Sequence, residues 1–178
     1  MRRVSVVGTS GSGKTTFAGA LADRLGVPHI ELDATYHQPG WVPLPENDFR
    51  EAVTTAVAGD SWVIDGNYAV ARPIVWGRAD TVVWLDLSRT VVMFRIIKRT
   101  LWRGLTRREL WNGNRESLRN VFKLDPMKNI IVWAWTTYPD RRRRYADMMQ
   151  DPRWSNATLV RLRTRAESRR FVGDARRG

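Results

Sequence analysis

The chain has 178 residues, of which 43% are hydrophobic, and this size favours one domain with a substantial core over two independent ones. It contains no cysteine, which excludes a disulfide framework, a thiolate zinc site and a cysteine nucleophile. Its formal net charge of +12 admits nucleotides, nucleic acid and acidic membrane surfaces as partners without choosing among them.

The first elements predict a phosphate-binding loop. Arg3 to Val7 reads as a short buried strand, and Thr16 to Leu25 carries apolar residues at helical spacing. Between them, Gly8 to Thr15 fills every fixed position of the P-loop pattern G-x-x-x-x-G-K-[ST], although a Gly/Ser linker could match it by chance. Lys14 would reach the β- and γ-phosphates of a nucleotide, and Thr15 would ligate Mg²⁺. The residues expected to bind the nucleotide are Gly8, Ser10, Gly11, Ser12, Gly13, Lys14, Thr15 and Thr16.

Three further apolar runs end in acidic residues and alternate with helical patterns. These runs are His29 to Asp33, Trp62 to Asp65 and Val82 to Asp86. Pro45 to Ala58 has apolar residues at fourfold spacing, and a second helix is expected from Arg89 to about Arg103. This alternation predicts an α/β domain whose mostly parallel sheet has helices on both faces.

The C-terminal half predicts an insertion, two helices and a last strand. Residues 103–125 hold five arginines and no long apolar period, and we interpret them as a mobile lid insertion in a single domain of residues 1–178. A helix is expected from Pro126 through Tyr138, where Pro139 should break or restart it. Thr158 to Arg163 predicts a fifth strand, and a capping box then starts a short C-terminal helix.

The sequence predicts a cytoplasmic protein. Met1 and Arg2 lead directly into the first strand, which leaves no room for a signal peptide. The apolar runs at 81–85 and 130–135 are far shorter than the roughly eighteen residues that a membrane span needs. We therefore expect no transmembrane helix and no membrane partner. The expected oligomeric state is a monomer or a homodimer.

Four sequence blocks carry a family resemblance. They are Gly8 to Thr15, His29 to Trp41, Trp62 to Tyr68 and Glu109 to Arg115. Together they resemble the P-loop nucleoside monophosphate kinase group, and most closely the adenylate-kinase-like proteins labelled DNA topology modulation proteins. The resemblance covers nearly the whole chain. It implies a three-layer P-loop NTPase fold with a five-stranded sheet and an arginine-rich lid, and a kinase that uses ATP as phosphate donor with Mg²⁺.

Asp33 and Asp65 are the candidate catalytic acids. Because the carboxyl ends of parallel strands meet at one sheet edge, both should lie beside the P-loop. Asp65 resembles a Walker-B acid that organises Mg²⁺ through water, and the alternative is a cap on the next helix. In similar small-molecule kinases an acid at the place of Asp33 binds or deprotonates an acceptor hydroxyl, which a phosphate acceptor would not need. Asp86 has the same pattern as Asp65, and we interpret it as structural.

The acceptor is expected to lie beside the segment that follows Asp33. The expected contacts are Asp33, Tyr36, His37, Trp41, Asn67 and Arg72, with Gln38 nearby. Alternatively, His37 is an ordinary hydrogen-bonding loop residue and Trp41 packs over the core. Arg72 would clamp a phosphate or carboxylate of the acceptor. It stands three positions later than the corresponding arginine of adenylate kinases, which argues against AMP as acceptor.

Arginines supply the second half of the expected site, because phosphoryl transfer depends largely on neutralising charge. Arg95 and Arg99 share one helical face and resemble the segment entering the adenylate kinase lid, so we expect them to contact the phosphates as catalytic residues with Lys14. The loop 163–166 is expected to contact adenine. Further phosphate contacts are expected from Arg103, Arg107, Arg108 and Arg115 of the lid and from Arg141 to Arg144, although exposed arginines are usually only solvated.

The resulting hypothesis is an ATP-dependent phosphotransferase. It would move the γ-phosphate of Mg-ATP to a small-molecule acceptor, most plausibly a nucleotide or a nucleoside. One alternative is a nucleic-acid-associated ATP-binding protein, which the charge supports but no helix-turn-helix, zinc-finger or RNP pattern favours. Another is a nucleotide sensor without turnover.

Overall fold

A parallel sheet of five strands forms the centre of the protein. The computed structural model describes residues 1–106, 109, 111–114 and 130–176. The predicted five-stranded sheet is confirmed, and every strand pair in it is parallel. In spatial order its strands are β2 (His29–Glu31), β5 (Trp62–Asp65), β1 (Arg3–Gly8), β6 (Thr81–Leu85) and β7 (Thr158–Leu162). A small antiparallel ribbon pairs β3 (His37–Gln38) with β4 (Val42–Pro43).

Helices cover both faces of the sheet. They are α1 (Lys14–Leu25), α2 (Leu32–Tyr36), α3 (Glu46–Ala56), α4 (Arg72–Arg78), α5 (Arg89–Thr106), α6 (Ile130–Met148) and α7 (Arg165–Asp174). Short 3₁₀ turns occur at Pro39–Trp41, Trp111–Gly113 and Pro152–Trp154. α1 and α7 pack on one face, whereas α3, α4 and the C-terminal part of α6 pack on the other. This arrangement is the expected three-layer α/β fold.

The apolar stripe predicted on α3 enters the core. Phe49 and Val53 are fully buried, and so is Val57 directly after the helix. Because fully burying such a side chain stabilises a fold by about 1.5–3 kcal/mol, this stripe is enough to fix α3 against the sheet. Helical spacing in the sequence therefore predicted both the element and its buried face.

The second strand is shorter than the sequence predicted. β2 ends at Glu31, and α2 begins at Leu32, so Asp33 lies in the first turn of a short helix instead of at a strand end. Leu32 turns inward against Gly66, where an added Cβ would lie 2.6 Å from Leu32 Cβ. The chain leaves the sheet at this point because Leu32 fills the space that Gly66 provides.

Pro139 does not break the helix that contains it. α6 continues from Ile130 to Met148, whereas the sequence predicted two helices. Proline has no N–H, so the carbonyl of Trp135 four residues earlier loses its helical donor. Arg89 replaces that donor, because its Nη2 donates to the Trp135 carbonyl oxygen at 2.7 Å. A side chain from α5 therefore lets α6 continue through a proline.

Asp86 is structural, as the sequence analysis proposed. Its side chain is buried at the end of β6 and accepts hydrogen bonds from Arg142 of α6 and Arg161 of β7. The shortest distances are 2.9 Å to Arg142 Nε and 2.6 Å to Arg161 Nη2. This buried carboxylate thus ties a helix to the edge of the sheet.

The expected lid lies mostly outside the described residues. α5 reaches Thr106, so Arg103 belongs to a helix and not to the insertion. Arg107, Arg108 and Arg115 lie outside the described residues, as does the predicted helix start at Pro126. Within the described ranges, no helix combines the length and the apolar character that crossing a membrane requires.

Asp80 fixes the start of the central strand. Its Oδ2 accepts hydrogen bonds from the backbone N–H groups of Arg2 and Arg3, at 2.9 and 2.8 Å, and its Oδ1 accepts one from the Thr81 hydroxyl. Burial alone would raise the pKa of Asp80, but these donors outweigh burial and hold it below the ordinary value of 3.8. Such a carboxylate stabilises the fold above its unfolded pKa, and this contribution disappears as the pH falls through its folded pKa.

We therefore expect Asp80→Asn to lower the free energy of unfolding at neutral pH by about 1 kcal/mol, since Asp80 is only partly buried. The difference from the native protein should begin to shrink below about pH 4, where the unfolded carboxyl binds a proton, and should disappear below the lower pKa of the folded carboxyl. Urea unfolding measured across the acidic range tests this, with the exposed Asp60→Asn as control. A difference that stays constant with pH would contradict the role assigned to the charge.

Candidate active site

The P-loop connects β1 to α1 and approaches α5 closely. Gly11 and Gly13 have φ angles of 79° and 90°, in the left-handed region that favours glycine. A Cβ on Gly11 would lie 2.5 Å from Ile96 Cγ1, and one on Gly13 would lie 2.9 Å from Arg95 Nη1. These two positions need glycine both for the backbone turn and for the contact with α5.

Lys14 lies between positive and negative groups. It is the first residue of α1, and its Nζ donates to the carbonyl oxygen of Thr9 at 3.3 Å. Loss of hydration in the cleft lowers the pKa of Lys14 from its ordinary value. Asp33 and Asp65 oppose this shift, and two nearby arginines add to it. Both predicted acids are therefore close enough to Lys14 to interact with its charge.

Asp65 touches the P-loop and one residue that the sequence analysis missed. It is the buried last residue of β5, and the Thr15 hydroxyl donates to its Oδ1 at 3.2 Å. Its Oδ2 lies 2.8 Å from Nε2 of His29, the first residue of β2. The hydrogen bond to Asp65 is the largest cause that raises the pKa of His29. His29 begins a strand and opens the His29 to Trp41 block, but that block assigned it no role, so no local pattern marked it as a functional residue.

Thr15 and Asp65 fit a magnesium ion. A hydroxyl has one donor hydrogen and two acceptor lone pairs, so Thr15 can donate to Asp65 and still offer a lone pair to a cation. Mg²⁺ prefers oxygen ligands and keeps several waters, so it is usually held by one or two carboxylates together with substrate phosphates. This pair therefore has the chemistry expected of a P-loop magnesium site.

Arg95 and Arg99 both reach the P-loop from α5. Arg95 Nη1 donates to the carbonyl oxygen of Ser12 at 2.6 Å, and Arg99 Nη2 donates to Ser10 Oγ at 3.3 Å. Their spacing of four residues places both guanidinium groups on the same side of the helix. The two side chains lie where a nucleotide's phosphates are expected, and their contact with phosphate stays a prediction.

The arginine run at the middle of α6 points in more than one direction. Arg141 stacks on Trp133, with 4.1 Å from its guanidinium carbon to the ring centroid, and its charge contributes to the lowered pKa of Lys14. Arg142 instead binds the buried Asp86. Of the two, Arg141 is the arginine placed near the P-loop.

Asp33 borders the same cleft as the P-loop. Its Oδ1 accepts a hydrogen bond from the Tyr68 hydroxyl at 2.7 Å. Burial and the neighbouring charge of Asp33 raise the pKa of Tyr68, so its phenol stays protonated and donates. Tyr68 is the last residue of the Asp-Gly-Asn-Tyr block that begins at Asp65. The sequence analysis included this block in the family resemblance but predicted no role for Tyr68.

Two of the expected acceptor residues lie elsewhere. Tyr36 packs edge-on against Phe49 and tilted against Tyr68, with ring centroids 5.1 and 4.5 Å apart. The Arg72 guanidinium lies 5.9 Å from the ring centroid of Trp76 and borders a separate small cavity. Within the described residues, neither side chain lines the main cleft. The expected contact with an acceptor is therefore unsupported for both, because aromatic packing places them behind the wall of the cleft.

His37 and Trp41 pack beside Trp111, a residue that lines the cleft. The His37 ring stacks on Trp111 at 6.2 Å and meets Trp41 edge-on at 5.3 Å. Trp111 itself lines the cleft, and its indole N–H donates to Glu31 Oε2 at 2.9 Å. Trp41 is 37% exposed and lies outside the buried core clusters, so it packs on His37 and not over the core. The acceptor contacts expected of His37 and Trp41 stay predictions, and the geometry adds Trp111 and Glu31 to the lining of the cleft.

The turn at residues 111–114 docks onto residues 34–41. The side chains of Asn112 and Asn114 make four hydrogen bonds with the backbone of that segment, at 2.7–3.1 Å. Trp41 and Asn112 have φ angles of 62° and 55°, and side chains other than glycine reach this region at an energetic cost. The turn at residues 111–114 is thus fastened to the segment that follows Asp33.

Asn67 holds the start of the P-loop. Its Oδ1 accepts a hydrogen bond from the Gly8 N–H at 3.3 Å, and its Nδ2 donates to the Gly8 carbonyl oxygen. The Tyr145 hydroxyl of α6 donates to the same Oδ1 at 2.7 Å. Because its amide is engaged on both sides, the expected acceptor contact of Asn67 is also unsupported.

The described elements enclose an open cleft of about 1140 Å³. This volume exceeds that of a typical single-ligand pocket, so the cleft can hold a nucleotide and a small second substrate together. The expected adenine loop contributes Arg165 to the lining. The other side chains that line the cleft beside the P-loop include Glu31, Asp33, Arg95, Arg99, Glu109, Trp111, Ser168 and Arg169.

Comparison with known proteins places the chain among P-loop enzymes. The family model described as "ATPase family associated with various cellular activities (AAA)" matches residues 4–71, which contain the P-loop and Asp65. The chain is 33% identical over 125 residues to a shikimate kinase of Symbiobacterium thermophilum, a match that covers 62% of this chain and 70% of that protein. It is 29% identical over 109 residues to a shikimate kinase of Synechococcus sp., covering 53% of this chain and 57% of that protein. The chain thus spans little more than half the length of the Synechococcus protein.

A solved structure shares the fold. The crystal structure of a shikimate kinase from Bacteroides thetaiotaomicron superposes with a TM-score of 0.55 at 15% sequence identity, over 97% of this chain and 94% of that one. At this identity the likeness shows a common fold, that of the P-loop kinases.

The pair of hydrogen bonds between the Asn67 amide and Gly8, which we call the Asn67 clamp, can be tested directly. We expect Asn67→Asp to lower the free energy of unfolding by about 1–3 kcal/mol, because an oxygen would replace the N–H that Gly8 accepts from. Nucleotide affinity should fall about tenfold, since the start of the P-loop loses its anchor. Urea unfolding and titration with a fluorescent ATP analogue measure the two effects.

Asn156→Asp is the matched control. Its amide donates to the carbonyl oxygens of Trp76 and Ala79, which lie outside the P-loop. We expect a similar loss of stability with unchanged nucleotide affinity. Equal affinities of Asn67→Asp and Asn156→Asp for the nucleotide would contradict the clamp.

Proposed function

Because the chain belongs to the shikimate kinase family, we propose that it transfers the γ-phosphate of Mg-ATP to a hydroxyl group of a small-molecule acceptor. The observation that carries this proposal is the position of Asp33, whose carboxylate borders the same cleft as Lys14. An acceptor hydroxyl must lose a proton during transfer, and a nearby carboxylate can accept it. An acceptor that is already a phosphate would not need such a base.

Each group at the cleft has a role in this reaction. The backbone N–H groups of the P-loop and Lys14 would bind the β- and γ-phosphates. Thr15 and Asp65 would hold Mg²⁺, which supplies neutralisation of the charge on the β- and γ-oxygens. Arg95 and Arg99 would exchange their contacts with the P-loop for contacts with the transferring phosphoryl group. Tyr68 would orient Asp33 toward the acceptor.

We propose a polyhydroxylated small molecule as the acceptor. The expectation of a nucleotide or nucleoside is too narrow, because the curated relatives are named for shikimate, a cyclic polyhydroxy acid. Asp33, Glu31 and Glu109 supply hydrogen-bond acceptors for several hydroxyl groups along the cleft. Trp111 offers a flat apolar surface for a ring.

Other expectations stay predictions. These are the closer resemblance to DNA topology modulation proteins, nucleic acid as a partner, the cytoplasmic location and the choice between monomer and homodimer. The net charge of +12 continues to favour a polyanion as a further partner. Salt-dependent binding to duplex and single-stranded DNA tests that option separately.

An acceptor screen tests the proposed function. We expect incubation with Mg-ATP and a pool of shikimate, other hydroxy acids, sugars, nucleosides and nucleoside monophosphates to phosphorylate a hydroxy compound, which mass spectrometry identifies. Transfer only to a nucleoside monophosphate would contradict a hydroxyl acceptor. ATP hydrolysis without transfer to any compound would favour a sensor or a nucleic-acid-associated protein.

With the acceptor identified, two substitutions test the assigned roles. Asp33→Asn should lower kcat by about 10²–10⁴-fold and leave the KM for ATP nearly unchanged, since the base acts on the acceptor. Lys14→Ala should abolish measurable transfer. The exposed Asp60→Asn is the control for loss of an acidic charge. Full phosphotransfer by Lys14→Ala would overturn the mechanism, and an unchanged kcat for Asp33→Asn would remove Asp33 as base.

A further inference from the structure

His29 occupies a position beside the magnesium pair that no motif explains. It lies at the start of β2, in the strand beside β5, and its Nε2 is 2.8 Å from Asp65 Oδ2. The imidazole rests against α1 at Gly19, where an added Cβ would lie 3.6 Å from His29 Nδ1. The ring is thus placed between α1 and β5, with 20% of its side-chain surface exposed.

The two oxygens of Asp65 have different partners. Oδ1 accepts from the Thr15 hydroxyl at 3.2 Å, and Oδ2 is held by His29 at 2.8 Å. The terminal torsion of an aspartate is broad and roughly two-fold, so one hydrogen bond leaves the carboxylate free to rotate. A second partner on the other oxygen fixes its plane. The shorter of the two contacts is the one with His29, which makes the histidine the firmer anchor.

We infer that His29 is a positioning residue for Asp65: by holding one carboxylate oxygen, its imidazole keeps the other directed at Thr15 and at the place where Mg²⁺ binds. This inference rests on the proposed function, because it concerns the pair proposed to hold the ion. Partners of this kind, which hydrogen-bond to a metal-binding side chain, change metal affinity by about 10- to 100-fold when they are removed. His29 lies in a different strand from Asp65, so the parallel pairing of β2 with β5 is what brings its ring beside that carboxylate.

Two substitutions separate positioning from packing. His29→Ala removes both the ring and the donor, whereas His29→Gln keeps an N–H donor at about the reach of Nε2. His37→Gln is the matched control, because His37 is the other histidine of the chain and stacks on Trp111 away from Asp65. Thermal unfolding of each metal-free protein reports any loss of packing.

The principal measurement is the Mg²⁺ concentration that gives half-maximal binding of a fluorescent ATP analogue. It needs neither an acceptor nor turnover, so it remains informative if the proposed kinase activity fails. We expect His29→Ala to raise this concentration about 10- to 100-fold, and His29→Gln to return it to within about threefold of the native value. An unchanged Mg²⁺ requirement in His29→Ala would overturn the inference. Equal defects in His29→Ala and His29→Gln would also overturn it, since the missing factor would then be the ring itself.

A spectroscopic test addresses the contact directly. The chain has two histidines, so an NMR spectrum of the ¹⁵N-labelled imidazoles contains two ring systems that His29→Gln and His37→Gln assign. We expect Asp65→Asn to shift the Nε2 signal of His29 and to leave the signals of His37 in place. A His29 signal that does not respond to Asp65→Asn would show that the hydrogen bond is absent in solution and would refute the positioning role.

Discussion

The P-loop is held at both ends by one short stretch of chain, which begins with the last residue of β5. Asn67 bonds to Gly8 at the start of the loop, and Asp65 accepts a hydrogen bond from Thr15 at its end. β5 lies beside β1 in the parallel sheet with Asp65 opposite Val6, so strand pairing places Asp65 beside the end of β1, and Asn67 follows two residues later. A shift of one residue in this pairing would turn Asp65 to the other face of the sheet. The same stretch also contacts α6, because the Tyr145 hydroxyl donates to Asn67 Oδ1.

The cleft concentrates positive charge around the loop. Loss of hydration lowers the pKa of Lys14 and of Arg95, so their charged forms are less well solvated there than in water. Asp33 and Asp65 offset part of this cost for Lys14, and Arg95 is stabilised by the carbonyl oxygen of Ser12. Phosphate oxygens can supply the same stabilisation to several of these cations at once. The arrangement is therefore suited to a multiply charged phosphate ligand. In the proposed function, the Asp65 carboxylate would bind the metal ion and the Asp33 carboxylate would accept the proton.

Hydrogen bonds join the turn at residues 111–114 to residues 34–41. Residues 111–114 follow α5, which carries the arginines that reach the P-loop, and their asparagines bond to the backbone of residues 34–41, which follow Asp33. The two non-glycine residues with positive φ among the described residues, Trp41 and Asn112, both lie in this contact. Strained backbone persists where surrounding contacts determine it fully, and it occurs often at ligand sites. We therefore interpret this contact as part of the functional site rather than as a simple surface turn.

The sequence by itself determined the fold class, the P-loop and the helical stripe of α3, because each depends on residues close together in the chain. It also placed Asp65 beside the loop, since the carboxyl ends of parallel strands meet at one edge. It predicted a break at Pro139, did not indicate the bond between Asn67 and Gly8, and missed His29 altogether. Only the tertiary structure decided these, because in each case a residue distant in sequence supplies the partner: Arg89 bonds to the carbonyl freed by the proline, Gly8 engages the amide of Asn67, and Asp65 engages the imidazole. A local pattern reports which backbone conformation a segment favours, whereas the role of a polar side chain depends on which group the packed strands and helices bring within hydrogen-bonding distance.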